Sequence, residues 1–578
     1  MGSRKLRPWE WAVVIFLASL VLVSTFVLLE FGTYLGFSFG REFIYPLVFM
    51  VLSAFVGFGF WFAGNSAAAG VVSDFISRRA LGIVLGASAA VRLAFTYSSS
   101  IFPDEYGVIQ VLNSRPLENL SNFLLNYQQI AGNYLFIHPP LSLILMDVGY
   151  LFVPSVYGPR FVSALFSTLT VLIVYYLIRD LGHPDVAILG AAVYGLVPHT
   201  ALYLTLALTD GVWIFFGVTS FWLIIRALKR GSYRLSVASG VFLSLALWTK
   251  AWLPFFWLLL ALVMILLVYT KKSVLRHLII LGGMSGTSLV LFSVWGIINP
   301  TAYQHSITAM FAQLLRLFAP AEYNIWTTEP TAGEAGPFSL ISVLAGFFPK
   351  MSAGTLRIIS YTELIAQLPL WIPLVVVVLS LAGLAITVRR NARFGTACVV
   401  WITIPFLLML PYFRDMRYLI VTAPLYALLA SLASHAPSSR KLRLSMQSIL
   451  LASIVISIII MVPVSHQMCG GVQEAASELR VIGLTDGNVL TNVPAAWLTY
   501  YLPHLHVGNL GNDPASLLSL LKQEKVNAVI VLHNERGAWP DVNGSMMEAF
   551  KGQFRSYTSG GPSAFSWYEL YYQPVYSS

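Results

Sequence analysis

The sequence predicts an all-α polytopic membrane protein of about 13 transmembrane helices with a small C-terminal extracytoplasmic α/β domain. Of the 578 residues, 57% are hydrophobic and only 10% are charged, and the mean hydropathy is +0.74. The apolar residues fall in separate runs, each long enough to cross hydrocarbon as a helix. Apolar density drops after Ser465, where short helical and β-rich patterns alternate.

The apolar runs divide the chain into three parts. Residues 1–79 hold two additional N-terminal helices, residues 80–464 hold the transmembrane core, and residues 465–578 form the α/β domain. The predicted spans begin at Trp11, Glu42, Ala80, Arg160, Val186, Gly211, Leu235, Trp252, Arg276, Leu370, Thr396, Tyr418 and Met446. Two long outer loops, 98–159 and 299–369, interrupt the core, and loops of this length usually have a function or contain their own helices.

The distribution of Lys and Arg predicts the orientation. With the N-terminus in the cytoplasm, more than half of the 35 basic residues lie in inner loops and most acids lie outside. Counting "HPPLSLILMDVGYLFVP" as a span would invert every later loop, so this segment is predicted to be a helix in the outer interface. The net charge of +10 follows from this asymmetry, and nucleic acid is not indicated as a partner. Cys398 in a span and Cys469 outside cannot pair in this topology, which excludes a disulfide or zinc framework.

Residues 465–578 alternate between two patterns. Helical spacing is present in "EAASELR", "PAAWLTYYLP" and "DPASLLSLLKQEKV", whereas "NVLTN", "LHVG" and "NAVIVLH" are β-rich. The segment "YELYYQP" is predicted to add an edge strand.

Two adjacent acids, Asp104 and Glu105, follow the third span in "IFPDEYG". Solvated loop acids are the plain alternative, but this loop is otherwise poor in charge and Pro103 restricts its backbone. Adjacent carboxylates can have different roles in catalysis, because one can accept a proton from a hydroxyl nucleophile while the other orients a substrate or a metal. We therefore favour a catalytic role.

Asp210 and His138 also lie at the predicted outer boundary. Asp210 in "ALTDGVW" either caps the helix that begins at Gly211 or carries chemistry, and the two alternatives are even. His138 in "FIHPPL" precedes two prolines that should force an extended entry into the next helix. A lone His is more often structural than catalytic, but at headgroup level this ring could donate to a lipid phosphate.

Three cations are predicted on the same side. Lys250 in "LWTK" emerges between two spans, where snorkelling is the plain alternative to a binding role. Arg414 and Arg417 in "YFRDMRYLI" depart from the positive-inside tendency. Arg is suited to bidentate phosphate binding, so we favour that role over a salt bridge with Asp415.

Glu329 and Glu334 lie in "WTTEPTAGEAGPF", within the second long loop. A turn close to a substrate and a mobile, solvated loop are equal alternatives there. The sequence contains no H-E-x-x-H, no G-x-S-x-G, no P-loop and no G-x-G-x-x-G with its surrounding strands. Proteolysis, nucleotide hydrolysis and dinucleotide chemistry therefore have no support.

In order and spacing these motifs resemble the GT-C membrane glycosyltransferases, which take sugars from polyprenyl phosphate carriers. The nearest resemblance is to the protein O-mannosyltransferase and aminoarabinose transferase group. It is carried, between Ala80 and Leu432, by Arg92 before "PDEY", by "HPPL", "PRFVSALFSTLTVLIVYYLIRDLG", "TD", "LWTK" and "RDMRYLIVTAPLYALL". The resemblance implies that Asp104 is the base, that Glu105 positions the acceptor and that Asp210 is a second acid near the sugar. It also implies that the carrier phosphate is held by His138, Lys250, Arg414 and Arg417.

The implied function is inverting transfer of a sugar from a polyprenyl-phosphate-linked donor to an acceptor outside the membrane. The predicted partners are this donor and membrane lipid, and the acceptor is left open between protein, lipid and glycan. The segment "WTTEPTAGEAGPF" loosely resembles the external-loop glutamate motif of oligosaccharyltransferases, which bind a divalent metal. An enzyme of that kind is therefore the second alternative, with Mg²⁺ or Mn²⁺ left open as a cofactor. A polytopic lipid or solute transporter is the alternative from another class, although transporters usually place ionisable residues in broken helices at mid-membrane.

Overall fold

The computed structural model describes two compact units. It covers residues 10, 13–14, 16–21, 25, 66–135, 138–250, 254–269, 274–304, 306–307, 371–409, 416–465, 471–492, 495–510, 526–534, 537–538, 550, 554, 556–563 and 566–572. Apart from the N-terminal residues, the first unit is built from the described parts of Val48–Thr96 and Ser114–Ile458. The second unit combines Tyr97–Asn113 with the described parts of Ile459–Ser578. A piece of the first predicted outer loop thus belongs to the same unit as the C-terminal residues.

Helices form most of the described chain before residue 471. In chain order they are α1 (Ser66–Ser98), α2 (Pro103–Leu112), α3 (Leu120–Leu125), α4 (Tyr127–Leu135), α5 (Leu141–Phe152), α6 (Tyr157–Asp180), α7 (Ala187–Leu196), α8 (Pro198–Tyr203), α9 (Asp210–Arg230), α10 (Tyr233–Leu247), α11 (Phe255–Met264), α12 (Val274–Ile298), α13 (Leu374–Arg390), α14 (Ala392–Met409), α15 (Ala423–His435) and α16 (Arg440–Ser465). Short 3₁₀-helices lie at Pro184–Val186 and Met416–Thr422, and a π-helix at Ile265–Tyr269 continues α11.

Five of the described helices are long and apolar enough to cross a membrane, namely Arg79–Ser98 within α1, α6, α9, α12 and α16. Every span predicted to begin between Ala80 and Met446 overlaps a helix, so the chain is a mostly helical, multi-pass membrane protein. The predicted number of about 13 spans is not confirmed, because several apolar runs form helices of only 10–17 residues. Prolines contribute to this shortening, since Pro254 immediately precedes α11 and Pro424 lies in the first turn of α15.

Helix α9 is the most enclosed of these five spans. Its most apolar stretch is 83% buried, whereas those of α1 and α12 are 28% buried. It packs against α6, α10 and α11. Gly217 allows this close packing, because a β-carbon there would collide with the Trp257 ring of α11. The helix ends at Gly231, whose φ of +63° forms a left-handed C-cap.

The first predicted outer loop contains α2 to α5. Helix α5 confirms the helix predicted from "HPPLSLILMDVGYLFVP", and its 12 residues are too few to cross hydrocarbon. The extended entry predicted for its two prolines is wrong at Pro140, whose φ of −79° and ψ of −9° are helical. The fixed φ of proline is compatible with the start of a helix, where no N–H partner is needed.

The C-terminal residues form a small α/β fold, as predicted. Its helices are α17 (Gly471–Val481) and α18 (Ala495–Tyr501), and its strands are β1 (Gly487–Thr491), β2 (Leu505–Asn509), β3 (Val526–Asn534), β4 (Gly537–Ala538), β5 (Ser556–Ser563) and β6 (Ser566–Tyr572). The strand order is β2-β1-β3-β6-β5, with β4 beside β3. Strand β1 is parallel to β2 and β3, whereas β6 is antiparallel to β3 and β5. The core of this sheet contains Leu490, Val529, Val531, Phe550 and Tyr571.

The edge strand predicted from "YELYYQP" is an inner strand instead. This segment forms β6, which lies between β3 and β5. The outer neighbour β5 has the sequence "SYTSGGPS", in which Gly, Pro and Ser predict a turn rather than a strand. The helix predicted from "DPASLLSLLKQEKV" lies almost entirely outside the described residues.

Candidate functional site

Asp210 is the first residue of the enclosed helix α9. Its Oδ1 accepts a hydrogen bond from Trp213 Nε1 at 2.8 Å and another from Lys250 Nζ at 2.7 Å. The N-cap position belongs to Thr209, so the alternative that Asp210 caps the helix is wrong. The carboxylate is turned instead toward an indole and an ammonium group, and the positive end of the α9 dipole also favours its charge.

Lys250 follows α10 and is buried with Asp210. The two side chains form a salt bridge in which Lys250 is 6% and Asp210 3% exposed. The ammonium also lies 5.9 Å from the centre of the Trp213 ring. A lysine that snorkels to solvent would be exposed, so this alternative is wrong for Lys250. Two buried charges are tolerated here because each satisfies the other and further donors complete the contacts.

Arg417 adds a second cation to this pair. It lies in the 3₁₀-helix Met416–Thr422, is half-buried, and its charge acts on the Asp210 carboxylate. The 3₁₀-helix is held by Trp401 of α14, whose Nε1 donates to the carbonyl of Val421 at 3.0 Å. The first unit therefore brings together one predicted acid and two predicted phosphate ligands from three separate elements.

The "HPPL" and "LWTK" motifs meet in the same unit. The N–H of Leu141, at the start of α5, donates to the carbonyl of Trp248 at 3.0 Å, two residues before Lys250. His138 is half-buried, and its backbone carbonyl accepts the hydroxyl of Tyr127. Burial raises the pKa of the Tyr127 phenol, which therefore acts as a neutral donor. These hydrogen bonds hold the backbone of the "HPPL" segment, including His138, in place.

Asp104 and Glu105 belong to the second unit and lie in the first turn of α2. This contradicts the alternative that they are solvated loop acids. Glu105 is fully buried, its Oε2 accepts the Phe102 N–H at 2.8 Å, and its own N–H donates to the Phe102 carbonyl at 2.9 Å. This reciprocal pair stabilises the start of the helix. Asp104 is half-buried, and Pro103 occupies the first turn, where its fixed φ suits a helix.

Two other buried polar groups in the first unit were not predicted from the sequence. Asp147 of α5 accepts the N–H of Leu117 at 2.8 Å through Oδ2, and burial raises the pKa of its carboxyl. His199 of α8 lies with Nδ1 3.4 Å from the hydroxyl of Tyr426. In both cases the only indication in the sequence is an isolated ionisable residue within an apolar run.

Two arginines are fully buried within the helices of the first unit. Arg92 of α1 donates to Ser167 Oγ and to the carbonyl of Gly195, both at 2.5 Å. Arg160 of α6 donates to the carbonyl of Thr96 at 3.0 Å. Arg92 is part of the motif order that carries the family resemblance, and in the structure it links α1, α6 and α7.

The remaining predicted residues cannot be placed in this arrangement. Arg414, Glu329 and Glu334 lie outside the described residues. Among the residues that the structure describes, no group of three or more His, Cys, Asp or Glu side chains could hold a metal ion.

Part of the chain matches a protein family by sequence. Residues 137–298 match the family model described as dolichyl-phosphate-mannose-protein mannosyltransferase. This segment contains His138, Asp210 and Lys250, and it ends before Arg417. No curated protein matches the chain by sequence.

Two solved structures are similar along most of the chain. One is the Archaeoglobus fulgidus oligosaccharyltransferase tethered with an acceptor peptide containing the NVT sequon, with TM-score 0.51 and 12% identity, covering 79% of this chain and 69% of that one. The other is ArnT from Cupriavidus metallidurans bound to undecaprenyl phosphate, with TM-score 0.50 and 12% identity, covering 86% of this chain and 99% of that one. At these identities the likeness concerns the fold. The chain is therefore a multi-pass membrane protein with the fold of the GT-C glycosyltransferases, as the order of its motifs predicts.

Proposed function

We propose that this chain is an inverting glycosyltransferase that moves a sugar from a polyprenyl-phosphate-linked donor to an acceptor outside the membrane. The observation that carries the proposal is the buried Asp210–Lys250 ion pair with the charge of Arg417 acting on it. Both members of the pair lie in the segment that matches the mannosyltransferase family. The ArnT structure with the same fold is bound to undecaprenyl phosphate, the class of carrier that we propose here.

The charges at this site suit a phosphate. Lys250 and Arg417 supply two positive charges beside the carboxylate of Asp210, and both side chains are of the types that bind phosphate oxygens. Lys250 offers a point charge with three donors, whereas Arg417 can bind two phosphate oxygens at once. His138, on the neighbouring "HPPL" segment, and Arg414 complete the proposed set of phosphate ligands.

Asp210 has one oxygen that remains available. Both hydrogen bonds to its carboxylate come to Oδ1, and within the described residues no donor contacts Oδ2. We assign Oδ2 to a hydroxyl group of the bound sugar. Asp210 then orients the sugar while Oδ1 stays bound to Lys250, so one side chain connects the sugar to the phosphate ligands.

The proposed reaction is a single displacement. The oxygen of the acceptor hydroxyl attacks the anomeric carbon, and the bond from that carbon to the phosphate oxygen breaks. Polyprenyl phosphate leaves with the electron pair, and Lys250 and Arg417 stabilise the negative charge that develops. Asp104 accepts the proton of the attacking hydroxyl. Glu105 positions the acceptor by keeping the start of α2 in place through its bond to Phe102. Attack opposite the leaving group inverts the anomeric configuration.

The distribution of charge along α9 supports a site on the outer side of the membrane. Helix α9 begins at Asp210 and ends with Lys229 and Arg230. If the basic end faces the cytoplasm, then Asp210 lies at the outer end. The basic start of α16, the helix that leads to the C-terminal α/β fold, supports an extracytoplasmic location for that fold by the same rule. A donor that is displayed on a lipid outside the cell membrane needs no nucleotide, which agrees with the lack of a nucleotide motif in the sequence.

An oligosaccharyltransferase-like reaction with Mg²⁺ or Mn²⁺ is the second candidate. The fold similarity to the archaeal oligosaccharyltransferase favours it. The described residues supply no metal site, so no step of the proposed reaction is assigned to a metal. Full transfer in the presence of a strong chelator would favour the metal-independent reaction, and transfer restored only by Mg²⁺ or Mn²⁺ would favour the second candidate.

The function can be tested with the full chain in liposomes. The donors are dolichyl-phosphate mannose and an undecaprenyl-phosphate-linked aminoarabinose, each radiolabelled in the sugar, and the acceptors come from a cell-envelope fraction. Mass spectrometry of glycoconjugates from cells with and without the chain identifies the natural sugar and its recipient. We expect Lys250→Met to abolish transfer and Lys229→Met, at the other end of α9, to leave it unchanged. Uptake of labelled lipid or solute into sealed vesicles without any glycosyl product would instead show a transporter.

A further inference from the structure

An aromatic cluster in the second unit joins α2 to α18. It consists of Tyr106, Trp497, Tyr500 and Tyr501, and we call it the Tyr106 clamp. The Tyr106 ring is stacked on Trp497, with centroids 5.6 Å apart and planes at 25°, and meets Tyr500 edge-on at 5.7 Å. The hydroxyls of Tyr106 and Tyr501 are 3.2 Å apart. Tyr106 is only 2% exposed, so an aromatic side chain from the first outer loop is buried against the C-terminal fold.

The partner helix α18 is itself firmly attached. Arg480 of α17 donates through Nη2 to the carbonyl of Tyr501 at 2.6 Å. Asn492, which follows β1 and precedes α18, exchanges two hydrogen bonds with the backbone of Leu532 in β3, at 2.9 and 2.8 Å. The sheet thus fixes the start of α18 and α17 fixes its end. Tyr106 is held by a rigid element rather than by a loop.

A second attachment holds the segment that leads into α2. The Ser100 N–H and hydroxyl both contact the carbonyl of Ser465, at the end of α16, at 3.2 Å. Glu105 then closes the first turn through Phe102. Helix α2 is therefore restrained before its start by Ser465 and within its first turns by the clamp.

The helix geometry separates the clamp from Asp104. Two positions along an α-helix correspond to a rotation of about 200°, so Asp104 and Tyr106 lie on nearly opposite faces. Burial agrees with this, because Tyr106 is buried whereas Asp104 is half-buried. A contact on the Tyr106 face can thus fix the helix without covering the carboxylate.

We propose that Tyr106 is a positioning residue through which the C-terminal α/β fold holds Asp104 in place for proton transfer. This inference rests on the proposed function and gives the C-terminal fold a part in the reaction. Aromatic pairs in stacked and edge-on geometry are attractive and orientation-dependent, which suits a contact that fixes a helix. Small misplacement of a reacting group costs about 100-fold in rate, so loosening α2 should lower kcat.

The test compares four variants of the full chain in the liposome transfer assay. Tyr106→Leu and Trp497→Leu should lower kcat about 10- to 100-fold, with the KM for the lipid-linked donor changed less than about twofold, because the proposed phosphate ligands are not in α2. Tyr106→Phe keeps the ring and loses only the hydroxyl contact, so it should retain most of the activity. Tyr571→Leu is the matched control, because Tyr571 is a buried tyrosine whose ring packs on Phe550 in the sheet core.

Amide hydrogen exchange in Pro103–Leu112 provides a readout that does not depend on activity. Tyr106→Leu should accelerate exchange in this helix and Tyr571→Leu should not. An unchanged kcat in Tyr106→Leu, equal kcat losses in Tyr106→Leu and Tyr571→Leu, or unchanged exchange in α2 would overturn the inference. If the unaltered chain transfers no sugar from any donor, the proposed function fails, and the exchange measurement alone then decides whether the clamp restrains α2.

Discussion

The two acidic sites of this protein are stabilised in opposite ways. Asp210 in the first unit is enclosed by a helix bundle and held by charge, because Lys250 and Trp213 both bind its Oδ1. Asp104 in the second unit is half-buried on a short helix that is held by packing, through the burial of Tyr106. Substitution at the first site should therefore affect folding and function together, whereas substitution at the second should affect mainly function.

This difference follows from the solvation of charge. A buried carboxylate is tolerated only with its partners, so the cations that stabilise Asp210 are also proposed phosphate ligands. A half-buried carboxylate keeps contact with water and can exchange protons with a substrate hydroxyl. The enclosed site thus suits binding of an anion, and the half-buried site suits the transfer of a proton.

The largest expected effect is at the ion pair. Lys250→Met leaves Asp210 buried without its ammonium partner, which should destabilise the protein by about 3–5 kcal/mol and abolish transfer. The double variant Asp210→Asn/Lys250→Met removes both charges and should recover part of the stability but none of the activity. Thermal unfolding in detergent and the liposome transfer assay measure the two effects. Transfer by Lys250→Met at more than a tenth of the normal rate would contradict the assignment of Lys250 to the phosphate.

Substitution of Asp104 should have the second-largest effect, which is large on activity and small on stability. Asp104→Asn removes the proposed base and should lower kcat about 100- to 10,000-fold, the range expected for loss of general base catalysis. The binding of undecaprenyl phosphate should not change, because the proposed phosphate ligands are other residues. The unfolding temperature should fall much less than in Lys250→Met, because Asp104 is only half-buried. Glu118→Gln is the control, since Glu118 is an acid of the same predicted outer loop and its side chain is 53% exposed. A matching fall in stability in Asp104→Asn would remove the contrast between the two sites.

A smaller effect is expected at Trp213. Trp213→Phe removes the N–H donor to Asp210 Oδ1 and leaves most of the packing, which should cost about 1–3 kcal/mol of stability and reduce transfer about tenfold. Trp222→Phe is the control on the same helix, because Trp222 Nε1 donates to Asp180 Oδ2 at the same distance of 2.8 Å in a partly buried bond. We expect a loss of stability in both variants, smaller in Trp222→Phe, and a loss of transfer only in Trp213→Phe. Equal transfer rates in the two variants would show that the bond to Asp210 has no part in the reaction.

Single residues of the candidate site could be predicted from the sequence, but not their pairing. Asp210 and Lys250 are conspicuous because each is a lone charge between apolar runs. They are 40 positions apart on different elements, and hydrophobic periodicity indicates which face of a helix is buried without indicating which helix it meets. The salt bridge therefore appears only in the structure. The same limit applies to Tyr106, whose partners in α18 lie almost 400 residues away.

Local sequence patterns were sufficient to predict some elements of the fold and insufficient for others. Long apolar runs predict the helices between Ala80 and Met446, because burial of such runs in lipid dominates their structure. Strand β5 was missed because its Gly and Pro residues favour turns locally, and pairing with β6 overrides that preference. Asp147 was missed because one acid in the apolar segment "LILMDVGYL" does not reveal that a loop N–H will reach it.

Substitution of Asp147 should have the smallest effect and sharpens the comparison, because this buried acid accepts a hydrogen bond from the backbone N–H of Leu117 rather than from a cation. Burial raises the pKa of this carboxyl above its ordinary value of about 3.9. Between the pKa of Asp147 in the unfolded chain and its higher pKa in the folded chain, the folded chain binds more protons than the unfolded chain. The free energy of unfolding therefore falls as pH rises through this range. Asp147→Asn keeps an oxygen for the Leu117 N–H and has no charge to desolvate. Its unfolding temperature relative to the unaltered chain should therefore rise between about pH 4 and neutrality. A difference that is independent of pH would mean that Asp147 keeps contact with water, as the half-buried Asp104 does, rather than being enclosed like Asp210.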